Sequence, residues 1–183
     1  MKIAIFGGTF DPIHRAHLVV AREAADHFAL DRVLFIPAAN PPHKEAGAAY
    51  EDRYRMVELA CSEDARFEAS RLEEGVQKSY SILTIERVKA LGGRAYFVIG
   101  ADAFAEITTW FRWQDVVAAV EFIVVTRPGH DYTSPPGATV HRLETVAMPV
   151  SSSAIREALA QGEMPQQLPP AVALYIRQHG LYR

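Results

Sequence analysis

Four short apolar runs, Ile3–Phe6, Val33–Ile36, Tyr96–Ile99 and Phe122–Val125, alternate with longer stretches of helical period. Each run is too short for a buried helix and lacks polar alternation, so it reads as a strand covered on both faces. Between them, Ala16–His27, Asp52–Ser62 and Ser81–Leu91 read as helices. In the third, Ile82, Ile85, Val88 and Leu91 recur every three residues and line one face. A further strand is expected over Thr139–Leu143, with helices over Ser152–Gln161 and Pro170–His179. This alternation predicts an α/β fold: a mostly parallel sheet with helices on both faces and right-handed crossovers. The 183 residues suit one domain spanning 1–183. Ligands of such sheets bind beyond the carboxyl ends of the strands, so motifs that follow strands carry the functional weight.

Charge and cysteine usage exclude several classes. A formal net charge of −3 implies no broad basic surface, which argues against nucleic acid as the main partner. The single cysteine, Cys61, rules out an intramolecular disulfide framework and a multi-cysteine zinc site. It lies among Met56, Val57, Leu59 and Ala60, where packing is the simpler role. No apolar stretch approaches the roughly 20 residues of a membrane helix, and the apolar run at the N-terminus is too short for a signal peptide. The expectation is a cytoplasmic enzyme without a membrane partner. A homo-oligomer is compatible with the sequence.

The richest segment is Gly7-Gly8-Thr9-Phe10-Asp11-Pro12-Ile13-His14-Arg15-Ala16-His17. A strand ends at Phe6, two glycines let the backbone turn closely, and a helix begins near His14. Such an exit can aim backbone N–H groups and the positive end of a helix at a phosphate. His14 and His17 share a helix face, so both can point at one anion. Imidazoles there suit the charge that builds on a pentacovalent phosphate and its leaving pyrophosphate. The structural alternative is a turn glycine pair with one histidine capping a helix and the other packed. A metal pair is a third reading, but no further His or Cys lies near enough in sequence to complete it. A dinucleotide fingerprint would need a third glycine and an acidic residue after the second strand, where Ile36-Pro37-Ala38 stands instead. A P-loop would need Gly-Lys followed by Ser or Thr.

Late in the chain, Pro149-Val150-Ser151-Ser152-Ser153-Ala154-Ile155-Arg156 opens another helix. The serines offer capping hydroxyls, but Arg156 in the first turn opposes the helix dipole. An anion held between the helix start and the guanidinium removes that conflict. A serine cap beside a solvated arginine is the plainer alternative.

Together these segments resemble the nucleotidyltransferase superfamily that carries an early His-x-Gly-His pair and a late Ile-Ser-Ser-Thr-x-Ile-Arg segment. Here they read His14-Arg15-Ala16-His17 and Val150-Ser151-Ser152-Ser153-Ala154-Ile155-Arg156, with Ala16 in place of glycine and Ser153 in place of threonine. Within it, the chain is most similar to the bacterial nicotinate-nucleotide adenylyltransferases. Ile36-Pro37, Pro41-Pro42-His43-Lys44, Lys78-Ser79-Tyr80-Ser81, Ile99-Gly100-Ala101-Asp102, Thr109-Trp110 and Arg127-Pro128-Gly129 fall in that family's order. The resemblance implies a Rossmann-like fold, ATP with its Mg²⁺ and nicotinate mononucleotide as substrates, and a place in NAD biosynthesis.

It also implies the site. Gly8, Thr9 and Phe10 would line the nucleotide pocket, and His14, His17 and Arg156 would hold the ATP phosphates, with His17 on the α-phosphate. Gly100 and Asp102 would meet adenosine, although Asp102 can equally cap a short helix over Ala103–Ile107. Ser152 and Ser153 would donate to phosphate. Trp110, with the backbone around Ser81 and Phe111, would form the pyridine pocket. Asn40, His43 and Lys44 sit on a Pro-rich loop that could close over the phosphates, Lys44 as a catalytic cation, with a solvated turn as the alternative; Arg127 would hold the mononucleotide phosphate or else make a surface salt bridge. Lys78–Ser81 and Trp110–Trp113 contain Lys78 and Arg112 but no Asp or Glu, which favours a carboxylate over an amide on the ring. No paired carboxylates mark a protein-built metal site, so Mg²⁺ is expected to arrive with ATP. Two other readings remain: a phosphopantetheine adenylyltransferase, and a regulator that binds a nucleotide without chemistry.

Overall fold

A computed structural model describes residues 1–41, 45–146 and 151–183. Six strands, β1 (Lys2–Gly8), β2 (Arg32–Pro37), β3 (Phe67–Ala69), β4 (Arg94–Gly100), β5 (Glu121–Thr126) and β6 (Thr139–Glu144), form one sheet in the order β3-β2-β1-β4-β5-β6. Every neighbouring pair is parallel. Among the described residues seven α-helices accompany them: α1 (Arg15–Phe28), α2 (Tyr50–Cys61), α3 (Ser81–Lys89), α4 (Ala101–Ala105), α5 (Trp113–Ala119), α6 (Ser152–Ala160) and α7 (Pro170–His179). A 3₁₀ turn covers Ile107–Thr109. This is the doubly wound arrangement, with its topological switch between β1 and β4.

Strand alternation divides the core in two. Ala4, Val33, Phe35, Tyr96, Val98 and Ile123 face α1, α2, α6 and α7, while Ile3, Ile5, Leu34, Ile36, Phe97, Phe122 and Val124 face α3, α4 and α5. On α1 the buried residues are Leu18, Ala21, Ala24 and Ala25, small enough to let the helix lie close to the sheet. Cys61 is buried with its thiol pushed up to about 12 by desolvation, first of all, and then by Glu68 and Glu58, so it packs and does not react.

The ladders position the site. The β1–β2 pairing runs to Gly8↔Pro37 and the β4–β5 pairing runs to Gly100↔Val125, yet the β1–β4 pairing ends at Ile5↔Phe97. The two central strands therefore part over Phe6–Gly8 and Val98–Gly100. A crevice opens at the switch point.

The expected strands and long helices are present with small shifts at their ends. Three elements were not expected: β3, the 3₁₀ turn over Ile107–Thr109 and α5. The short helix after β4 spans Ala101–Ala105, not Ala103–Ile107, and Gly100 is its N-cap. Asp102 thus lies inside the first turn with its side chain in solvent, and the capping alternative for it fails.

Candidate active site

A cavity of about 220 Å³ lies beyond the end of β1, lined by Phe6, Gly7, Gly8, Thr9, Phe10, Asp11, His17, Glu45, Ser152 and Arg156. Segments from the two ends of the chain meet there. Phe10 makes the turn out of β1 with a left-handed backbone (φ 51°). Its ring folds back against Phe6, Phe35 and His17. A Cβ on Gly8 would come within 3.2 Å of that ring, so Gly8 is small for the sake of Phe10. A Cβ on Gly7 would meet nothing within 4 Å, so Gly7 leaves open space.

His14 caps α1 from an extended backbone conformation, and its N–H donates to His17 Nδ1 at 3.1 Å. The two rings stack with centroids 3.8 Å apart. His14 is 4% exposed and lies behind His17, off the cavity wall, with Nδ1 unpartnered among the described residues. Desolvation lowers His14 to about 4 and, with a smaller contribution from His14, lowers His17 to about 3. Both rings are neutral near pH 7. His17 accepts at Nδ1, so its proton sits on Nε2, which is free to donate.

The start of α1 is less open to an anion than its sequence suggests. Arg15 N–H donates to Gln167 O at 2.8 Å, and His17 N–H donates to His14 O at 3.1 Å. The Ala16 N–H, the side chains and the loop before the helix are left to meet a phosphate.

From the other end of the chain, Ser151 caps α6 by accepting the Ala154 N–H. Ser152 donates to Pro12 O at 3.0 Å, which ties α6 to the first loop. Ser153 is exposed, and its Oγ accepts from Arg156 Nη2 at 3.2 Å. Arg156 also donates from Nη1 to Asp11 O at 2.8 Å. The guanidinium is therefore held in one orientation at the cavity edge.

Sequence reasoning missed the residues that brace this wall. Arg53 is 2% exposed and donates to the main-chain oxygens of Thr9 (2.9 Å), Ala38 (2.8 Å) and Ala48 (3.1 Å). Burial lowers its pKa, against the opposing charge of Asp11. One arginine thus fastens the exits of β1 and β2 to the start of α2. Asp11 accepts Gly47 N–H at 2.6 Å and Ala48 N–H at 3.1 Å. A buried arginine at helical spacing looks like a solvated one in sequence, so no signal marked Arg53.

The remaining expected residues lie outside the lining of this cavity. Gly100 ends β4 at the switch point. Asn40 donates to Val76 O at 2.8 Å and holds the loop after β2 against the segment before α3. Ser81 opens α3, whose N-cap Tyr80 stacks on Phe111 with centroids 4.5 Å apart. Trp110 is half-buried and packs edge-on against Phe97 at 5.8 Å. Arg127 is exposed just after β5. Arg112 departs from expectation: it pairs with Asp115 (2.7 Å) and Glu86 (3.5 Å), so its charge is answered locally and Lys78 is the cation left there. His43, Lys44 and Val150 lie outside the described residues.

Comparison with known proteins agrees with this geometry. The profile of the cytidylyltransferase-like family matches residues 5–158. A protein of Solibacter usitatus is 63% identical over all of both chains, and one of Thermus thermophilus is 40% identical, again over all of both. Each bears the name probable nicotinate-nucleotide adenylyltransferase. Among solved structures, the Plasmodium falciparum nicotinic acid mononucleotide adenylyltransferase complexed with NaAD superposes with a TM-score of 0.83. The alignment covers 99% of this chain and 97% of that one at 19% identity, a likeness of fold.

Proposed function

The chain belongs to the cytidylyltransferase-like family and, within it, to the nicotinate-nucleotide adenylyltransferases, and on that footing we propose that it transfers the adenylyl group of ATP to nicotinate mononucleotide, giving nicotinate adenine dinucleotide and pyrophosphate. One observation carries the reading at the level of this chain. His17 and Arg156, from opposite ends of the sequence, line a single cavity at the switch point of a parallel sheet.

The 5′-phosphate of the mononucleotide attacks the α-phosphorus of ATP in line, and pyrophosphate leaves. The attacking oxygen is already anionic, so no protein nucleophile or base is needed. Catalysis is positioning plus charge stabilisation. Neutral His17 donates Nε2–H to the α-phosphate, where charge builds. Arg156, already oriented by Asp11 O and Ser153, meets the departing phosphates. His14, buried off the cavity wall, supports the His17 ring from behind. Gly7 leaves room for the nucleotide, and Thr9 and Phe10 shape the wall beside it.

Gly100 and Asp102 face adenosine across the parted strands. Trp110, with the backbone at Ser81 and Phe111, takes the pyridine ring, and Arg127 takes the mononucleotide phosphate, with Asn40, His43 and Lys44 supplied by the loop after β2. Lys78 favours the ring carboxylate. Mg²⁺ travels with ATP: the carboxylate of Asp11 already accepts N–H and O–H donors, and Glu45 is the other acidic side chain on the cavity.

The test is pyrophosphate release from Mg²⁺-ATP with nicotinate mononucleotide, nicotinamide mononucleotide or phosphopantetheine supplied in turn. Release with the first and little with the others is expected. Preference for phosphopantetheine, or no release with any acceptor, overturns the assignment.

A further inference from the structure

The segment after α7 reaches back into the first loop. Tyr182 Oη donates to Asp11 Oδ1 at 2.6 Å, joining the Gly47 and Ala48 N–H donors on the same carboxylate. That carboxylate is 4% exposed, and its Oδ2 lies 3.9 Å from Arg156 Nη1, which also takes the Asp11 main-chain oxygen. The Tyr182 ring and the Arg156 stem press on one spot: a Cβ on Gly47 would meet Arg156 Cδ and Tyr182 Cε1, each at 3.2 Å.

Tyr182 holds a left-handed backbone (φ 61°), an uncommon state for a residue with a side chain. Such a conformation persists where the surroundings over-determine it. Here a captured hydroxyl and a packed ring do so. Burial, then the bond to Asp11, raises the Tyr182 pKa and keeps the hydroxyl a proton donor.

We infer that Tyr182 is a positioning residue for the ATP site, acting through Asp11 to set the Arg156 guanidinium and the turn at Gly47–Ala48. The inference rests on the adenylyl-transfer reading for the identity of the nucleotide. Without the hydroxyl, Asp11 keeps the Gly47 and Ala48 N–H donors but is held less firmly against a shift toward Arg156. The guanidinium is then drawn off the cavity edge and its grip on the triphosphate weakens.

The test is a double-mutant cycle read by Mg²⁺-ATP titration without an acceptor, using Tyr182→Phe, Arg156→Lys and the pair. Tyr182→Phe is expected to weaken ATP about 10-fold while the KM for nicotinate mononucleotide moves less than 2-fold. In the Arg156→Lys background, where no planar fork remains to be aimed, the same change is expected to add less than 2-fold. A purely structural hydroxyl would cost the same in both backgrounds and spread over both substrates. That outcome, or ATP affinity unchanged in Tyr182→Phe, overturns the inference. If Tyr182→Phe does not fold, Asp11→Asn enters the same cycle, since it keeps the main-chain acceptor of Arg156. Wild-type protein that binds ATP but releases no pyrophosphate with nicotinate mononucleotide would defeat the proposed reaction and leave the Tyr182 result standing.

Discussion

The backbone N–H of His14 donates to Nδ1 of His17 at 3.1 Å, which fixes the tautomer of the ring on the cavity wall. A histidine whose one nitrogen is saturated by its own helix start has a single chemical option left. It can donate through Nε2, and a neutral ring suffices for that.

Replacing that ring should abolish the donor while leaving the fold. His17→Ala is expected to lower turnover about 10²-fold or more, a loss of at least ~2.7 kcal/mol of transition-state stabilisation, with an unchanged circular dichroism spectrum. Near-normal turnover would remove His17 from the reaction.

The same pair should shape stability against pH. Burial lowers His14 to about 4 and His17 to about 3, whereas an unfolded histidine titrates near 6.5. Between those limits the unfolded chain binds more protons than the folded one, so stability rises with pH. The contribution is complete above about 6.5 and is lost progressively as pH falls toward 4 and below. Melting curves from pH 7 to pH 4 should show Tm falling, and a His14→Gln, His17→Gln double variant should flatten that slope. An unchanged slope would contradict it.

Arg53 should matter to stability more than any surface arginine. Arg53→Met strips donors from the buried oxygen of Ala48 and the part-buried oxygens of Thr9 and Ala38 at once. Each unsatisfied buried acceptor costs about 1–3 kcal/mol. A loss of roughly 3 kcal/mol or more is expected in urea unfolding, against less than about 0.5 kcal/mol for Arg55→Met on the exposed face of the same helix. Equal effects would show that the loop junction is not held as described.

The two glycines should separate by phenotype. Gly7→Ala puts a methyl into open space at the cavity, so the KM for ATP should rise several-fold with Tm nearly unchanged. Gly8→Ala pushes on the Phe10 ring at 3.2 Å, so Tm should fall by several degrees. The opposite pattern would mean that nucleotide and ring have been assigned to the wrong glycines.

Trp110 offers a check on the acceptor side. Trp110→Ala is expected to raise the KM for nicotinate mononucleotide about 10-fold and leave that for ATP within 2-fold. An equal rise for both substrates would make Trp110 a packing residue against Phe97.

Much of the frame was legible because its signals are strong. The central strands are buried on both faces, so Ile3–Phe6 and Tyr96–Ile99 show as unbroken apolar runs. β3 did not, because Phe67–Ala69 is short and Glu68 points outward from a sheet edge. α5 was hidden by Arg112, which enters it with a left-handed backbone that no sequence pattern announces. The segments His14-Arg15-Ala16-His17 and Ser151 to Arg156 were legible as a family signature. What braces them was not. Arg53, Asp11 and Tyr182 act through main-chain oxygens and a buried carboxylate, and a charge pattern cannot distinguish such roles from hydration.

The early end of the β1–β4 ladder has a thermodynamic consequence. Each strand is still clamped along its other edge, so the gap between them is built into the resting backbone and is not wedged apart by an incoming base. Little ordering entropy of the sheet need then be surrendered on association. Heat capacity of binding should track the apolar area covered, with no extra contribution from refolding of the sheet.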